Sequence, residues 1–127
     1  MDTHEQDIKK RIQQGESLTL EFKSDLKCLA DRELVTAVVA LANTEGGDLL
    51  LGVEDDGTVT GLHPTHARLD SLPALIANRT NPSLGVRVIP VSLPEGTVAR
   101  IQVPKSRHLV ATSEGLLQRR RLKLDGT

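Results

Sequence analysis

Aromatic side chains are almost missing from this sequence. They make up 1% of it: Phe22 is the one phenylalanine, and tryptophan and tyrosine are absent. Proteins that hold single-stranded nucleic acid by base stacking need several such rings. That route is closed here, because Phe22 alternates with polar neighbours and is expected in the core. Cysteine is as scarce. A single residue, Cys28, excludes an internal disulfide and a cysteine-built zinc cluster, and it fits a reducing, cytoplasmic setting. Membrane-length apolar runs are absent too, and the polar start Met1-Asp2-Thr3-His4-Glu5 is no secretory signal. No membrane partner is expected.

What remains is aliphatic. Hydrophobic residues form 38% of the 127, so the core must be built from Leu, Val, Ile and Ala. The length suits a single domain over residues 1–127. The chain stops at Asp125-Gly126-Thr127 without a closing element, so it is expected to be the N-terminal part of a longer protein. A formal net charge of −1 excludes a polycation that binds nucleic acid by bulk charge. The distribution is uneven, however. From Arg100 onward seven Lys or Arg stand against Glu114 and Asp125, while acids gather at Glu54-Asp55-Asp56. A local basic face can still meet phosphates.

Periodicity orders the chain. Asp2 to Gln14 has helical composition, with Ile8 and Ile12 four apart and Gly15 as its stop. From Glu16 to Lys23, Leu18, Leu20 and Phe22 alternate with Thr19, Glu21 and Lys23, which predicts a half-buried strand. Asp31 is the expected N-cap of a central helix carrying Leu34, Val35, Val38, Val39, Leu41 and Ala42. Gly46-Gly47 breaks it, and Leu49 to Val53 reads as an interior strand covered on both faces. Asp55-Asp56-Gly57 signals a hairpin, with Val59 to Leu62 returning. Thr65 is placed to cap a second helix bearing Leu69, Leu72, Leu75 and Ile76, which Pro73 either kinks or shortens. Val86 to Leu93 and Val98 to Val103 form a second hairpin around Pro94-Glu95-Gly96-Thr97. Pro104 to Ser113 is a loop, and Leu116 to Leu124 a last, mostly basic strand. The expected fold is α/β, of the α+β kind: a mixed central sheet, two main helices and two β-hairpins.

Several residues invite a chemical reading. Glu21 and Lys23 share a strand face, as in metal nucleases where a carboxylate holds Mg²⁺ or Mn²⁺ and an ammonium faces the phosphate. Spacing alone favours an ordinary polar strand face. Asp55 and Asp56 are also common turn residues. Asn43 to Gly47 reads as helix termination rather than an anion cradle. No phosphate loop and no dinucleotide fingerprint is present, so no motif supports ATP binding by this chain. His4, His63, His66 and His108 are scattered and read as loop residues, Cys28 as a bystander, and Ser17 lacks a histidine partner. Arg119, Arg121 and Lys123 share one face of the last strand with Arg120 opposite; three successive arginines exceed what edge protection needs, which favours phosphate contact. Lys105 and Arg107, in the preceding loop, extend the same basic segment.

Two stretches carry a family resemblance. Glu16-Ser17-x-x-x-Glu21-Phe22-Lys23 and Ala40-x-Ala42-Asn43-Thr44-x-Gly46-Gly47-x-Leu49-Leu50-Leu51-Gly52-Val53-x-Asp55 together resemble the Schlafen Alba-like (AlbA-type) domain, from about Gly15 to about Arg121. That domain occurs at the N-terminus of bacterial transcriptional regulators and RecG-like helicase-related proteins. The resemblance implies nucleic-acid binding. In nuclease-active Schlafens an acidic trio binds the metal, and by position it maps onto Glu16, Glu21 and Asp55. Older descriptions of the bacterial group as ATP-binding find no support in this chain's motifs. The segment departs from the family at Leu109-Val110, where a proline is common.

The leading expectation is therefore a nucleic-acid-binding, DNA-directed domain of a bacterial transcriptional regulator. Lys105, Arg107, Arg119, Arg120, Arg121 and Lys123 would meet phosphates with little base readout. The alternative is a metal-dependent endoribonuclease using Glu16, Glu21 and Asp55 with Lys23, and Mg²⁺ or Mn²⁺ as its ion. A third is a protein-interaction or homodimerisation module. No cofactor is expected to be needed for folding.

Overall fold

The computed structural model describes residues 3–66 and 68–115. A four-stranded mixed sheet lies at its centre, with helices on both faces. Its strands are β1 (Leu20–Lys23), β2 (Gly47–Leu51), β4 (Arg87–Leu93) and β5 (Gly96–Val103), in the order β1-β2-β5-β4. β1 runs parallel to β2, pairing Phe22 with Leu50, while β5 is antiparallel to both β2 and β4. A small second sheet pairs β3 (Thr80–Asn81) with β6 (Ala111–Thr112). The helices are α1 (Thr3–Gln14), α2 (Asp31–Ala42) and α3 (Leu72–Asn78). Among the described residues, no helix is long and apolar enough to cross a membrane.

The apolar run of β2 follows from this position. Leu49 and Leu51 face α2 and α3, in a core with Leu34, Val38, Leu41, Ile76 and Ile101. Leu50 faces the other way, into a second core with Ile8, Leu20, Phe22, Val91 and Val98. Successive strand residues point to opposite faces, so a strand covered on both sides must be apolar throughout. Ile8, fully buried, is the side chain by which α1 covers that second face. Pro90 lies in β4, an edge strand among the described residues, where a missing backbone donor is tolerated.

Boundaries shift where local hydrogen bonds compete. The strand expected from Glu16 begins only at Leu20, because Ser17 to Thr19 close a tight turn: the Ser17 amide donates to the Leu20 carbonyl at 3.0 Å. Asp31 is the first residue of α2 rather than its cap; Ala30 occupies the cap position with no side-chain bond. In the first turn Asp31 and Glu33 complement the helix dipole instead. The strand expected at Leu49 to Val53 spans Gly47–Leu51. Beyond it the acidic turn is closed by the Glu54 amide on the Thr58 carbonyl at 2.8 Å, and Val53 pairs with Val59 as a single bridge. The helix expected after Thr65 is instead a single 3₁₀ turn, Pro64–His66, followed by α3 with Pro73 in its first turn. The strand expected at Leu116 to Leu124 lies outside the described residues.

Two glycines are required by approach distance. Gly46 has φ +72°, and a Cβ there would stand 2.6 Å from the Lys105 nitrogen. Gly47 has φ +134°, and a Cβ would stand 2.1 Å from the Thr19 carbonyl oxygen. The Gly-Gly pair therefore ends α2 and also lets the chain pass between β1 and the loop after β5.

Candidate functional site

β1 exposes one polar face. Leu20 and Phe22 point into the core, while Glu21 and Lys23 are half-buried on the opposite side. Among the described residues β1 is an edge strand, with backbone groups on its outer side that no neighbouring strand pairs. Glu16, on the turn before it, reaches across: its Oε1 accepts the Phe22 N–H at 2.9 Å. The same carboxyl group comes within hydrogen-bonding reach of the Glu21 side chain, and the Asp55 charge also bears on it. The parallel pairing of β1 with β2 brings Asp55 into electrostatic range of the Glu16–Glu21 pair, without closing the three carboxyl groups to metal-ligand spacing. It sets the end of β1 beside the end of β2, from which Glu54 and Asp55 emerge.

The electrostatic consequence is large. Lost hydration raises the proton affinity of Glu16, the side-chain hydrogen bond with Glu21 raises it further, and the Phe22 N–H opposes them. The charges of Glu21 and Asp55 add to the rise, and its pKa moves from 4.5 to about 7. Glu16 therefore holds its proton to higher pH than an ordinary carboxyl does. Asp56, next to Asp55, differs: the Thr58 hydroxyl, and then the Thr58 N–H that its carboxylate accepts at 2.9 Å, hold it below the usual range. It is a turn residue in the ordinary sense.

Lys23 opens onto a groove bounded by Leu26, Lys27, Cys28, Glu33 and Glu54. In the loop after β5, Lys105 and Arg107 are both exposed. Lys105 is 3.6 Å from Glu45, a solvent-screened pair. This loop is anchored to α2. The Ser106 amide donates to the Ala42 carbonyl at 2.9 Å, and Asn43 clamps Val110, accepting its N–H and donating to its carbonyl at 2.8 Å each. The position at which the family commonly has proline is therefore held by a side-chain clamp. Arg119, Arg120, Arg121 and Lys123 lie outside the described residues.

One cation counted in the basic segment is not available to a ligand. Arg100 is buried, with a nitrogen 3.0 Å from Asp48 and 2.9 Å from Asp7. Arg11 also pairs with Asp48. Burial opposes the Arg100 charge, but Asp48 and Asp7 outweigh it and raise its pKa. This is an internal ion cluster tying α1 to the sheet.

The arrangement that the spacing did not reveal is Asp25, Cys28 and His66. Their ligating atoms all lie within 4.8 Å of one another. Asp25 is fully buried, and His66 is 9% exposed. Cys28 and Asp25 share a turn, but His66 arrives from the 3₁₀ turn, 41 positions after Asp25. A histidine so far along the chain carries no local pattern, and only the tertiary fold brings it in.

The sequence profile of the family described as Schlafen, AlbA_2 matches residues 16–123. A crystal structure of the DIP2311 protein from Corynebacterium diphtheriae superposes with a TM-score of 0.71 at 18% identity, covering 93% of this chain. The chain spans 25% of that protein's length. The solution structure of the N-terminal domain of a protein from Nitrosomonas europaea, described as ATP-dependent DNA helicase RecG-related, superposes with a TM-score of 0.62 at 21% identity. There 97% of this chain and 92% of the other are covered. At these identities the two structures share the fold with this chain.

Proposed function

Because the chain belongs to the Schlafen AlbA_2 family, a generally nucleic-acid-related group, we propose that this domain binds nucleic acid by its phosphates, as the DNA-contacting part of a bacterial transcriptional regulator. The observation that carries this reading is the loop after β5. It presents Lys105 and Arg107 to solvent on a backbone anchored to α2. Cations on an anchored loop hold a backbone in register without reading its sequence. The lone phenylalanine, Phe22, is buried, so no Phe, Tyr or Trp ring is open to base stacking. The basic residues Arg119, Arg120, Arg121 and Lys123 would extend this contact. The test is a double substitution, Lys105→Ala with Arg107→Ala. It should weaken binding to unrelated duplexes by similar factors. Loss confined to one sequence, or no loss at all, contradicts the reading.

A second reading, metal-dependent endoribonuclease activity, is favoured by a separate observation: burial and the adjoining Glu21 carboxyl, with a smaller contribution from Asp55, raise the Glu16 pKa to about 7. Three oxygen donors suit a hard divalent cation, which would relieve their repulsion in place of the proton. Glu16, Glu21 and Asp55 would hold Mg²⁺ or Mn²⁺. When bound, such an ion polarises a phosphoryl oxygen and makes water a better nucleophile. Lys23, on the same strand face as Glu21, would draw the phosphate toward the cluster. Glu21→Gln should abolish Mn²⁺-dependent cleavage of labelled RNA while the circular dichroism spectrum stays that of the wild type. Cleavage that survives Glu21→Gln, or that needs no divalent ion, contradicts it.

A further inference from the structure

The groove beside Lys23 contains a second constellation. The Asp25 carboxylate is fully engaged: Oδ1 accepts the Leu29 N–H at 2.8 Å, Oδ2 accepts the His63 N–H at 2.8 Å, and both lie 2.8–2.9 Å from His66 Nδ1. A carboxylate that accepts from Nδ1 fixes the proton there and leaves Nε2 as the acceptor. Nε2 is 3.9 Å from the Cys28 sulfur. Cys28 is half-exposed and lines the open groove with Leu26, Lys27 and Glu33. Its backbone has φ +59°, a left-handed conformation uncommon for a side chain of this kind. The turn that holds it is closed by the Cys28 amide on the Asp25 carbonyl at 3.1 Å. Asp25 thus shapes the turn carrying the thiol and also orients the imidazole facing it.

We propose that Cys28 is a nucleophilic thiol, with His66 as its proton acceptor and Asp25 as the positioning residue, and that the groove admits small hydroperoxides that oxidise it. A thiol, an imidazole and an orienting carboxylate are the parts of an activated nucleophile. A metal site is the weaker fit: with both Asp25 oxygens spent, two free ligating atoms remain, Cys28 Sγ and His66 Nε2, short of the four of a structural zinc site. A hydroperoxide requires only access to sulfur and a proton for its leaving oxygen, and the site offers both. His66 Nε2 takes the thiol proton. The sulfur attacks the terminal peroxide oxygen, forming the S–O bond as the O–O bond breaks. The departing oxygen takes the proton from His66 and leaves as water or an alcohol. Sulfur is oxidised by two electrons to a sulfenic acid and the peroxide is reduced. Cys28 is the one cysteine of these 127 residues, so a thiol outside them resolves that product.

The experiment treats the reduced full chain with hydrogen peroxide, traps the sulfenic acid with dimedone and follows adduct formation by intact-protein mass spectrometry. The folded wild type should react on the order of tenfold or more faster than the same chain in urea. His66→Gln should lose that advantage while its circular dichroism is unchanged, and Asp25→Asn should remove the Nδ1-protonated signature of His66 in ¹⁵N spectra. Equal rates for folded and unfolded wild type overturn the proposal, whatever the variants do. So does a purified chain holding stoichiometric zinc whose thiol reacts only after chelation.

Discussion

Glu16 concentrates the electrostatics of this domain in a single residue. Its carboxyl group satisfies the edge of β1 through the Phe22 N–H, yet lost hydration and the neighbouring Glu21 make its charge costly. The sign of the pH effect follows from the raised pKa. The folded state binds the Glu16 proton more tightly than the unfolded chain does, so this contribution is fully present below 4.5 and is lost as pH rises through about 7. Melting temperature should fall between mildly acidic and mildly alkaline buffer, and Glu16→Gln should flatten that fall. If wild type and variant melt in parallel across the range, the carboxylates do not interact as described. On the metal reading, Mn²⁺ at alkaline pH restores the wild type and leaves the variant unmoved. Gly47 gives a purely steric prediction at the same scale. Gly47→Ala meets the Thr19 carbonyl at φ +134° and should cost about 2 kcal/mol or more, read by urea denaturation.

Elements were legible in the sequence where periodicity had no competitor. The central helix, the apolar β2 and the β4–β5 hairpin stand within a few residues of the reading because each has two faces to fill and a turn to close it. Failures fall where side chains bond locally. The Ser17 hydroxyl accepts the Thr19 N–H and the Ser17 amide bonds the Leu20 carbonyl, which shortens β1, and Pro64 with Pro73 replaces one long helix by a 3₁₀ turn and a short α3. The two-residue pairing of β3 with β6 is too short to show any period. Among candidate site residues, Glu16, Glu21 and Asp55 are marked by the family motifs. Asp25 and His66 are not, since their partnership depends on a fold-level encounter across 41 positions. Asn43 lay inside a motif but read as helix termination; its clamp on Val110 needs the tertiary structure to be seen. Asn43→Ala should leave the buried Val110 backbone unsatisfied and cost roughly 1–3 kcal/mol. Amide exchange should rise first in the loop after β5. Unchanged protection there would mean the clamp does not hold the loop.

At the scale of the molecule, two cores share one sheet, and the polar chemistry is pushed to the sheet's edge and its connecting turns. The internal ion cluster of Arg11, Arg100, Asp7 and Asp48 uses charge for architecture, which leaves the exposed loop cations for a partner. With the sole phenylalanine buried, phosphate contact is the main source of affinity open to the domain, and that term is governed by counterion release. The most direct measurement is the dissociation constant of the whole chain for labelled duplex DNA and single-stranded RNA across a salt series. Phosphate-directed binding predicts a linear fall of log affinity with log salt, its slope reduced by about one for each of Lys105 and Arg107 removed. An affinity unchanged by salt, or no retention of any nucleic acid at low salt, would contradict the account.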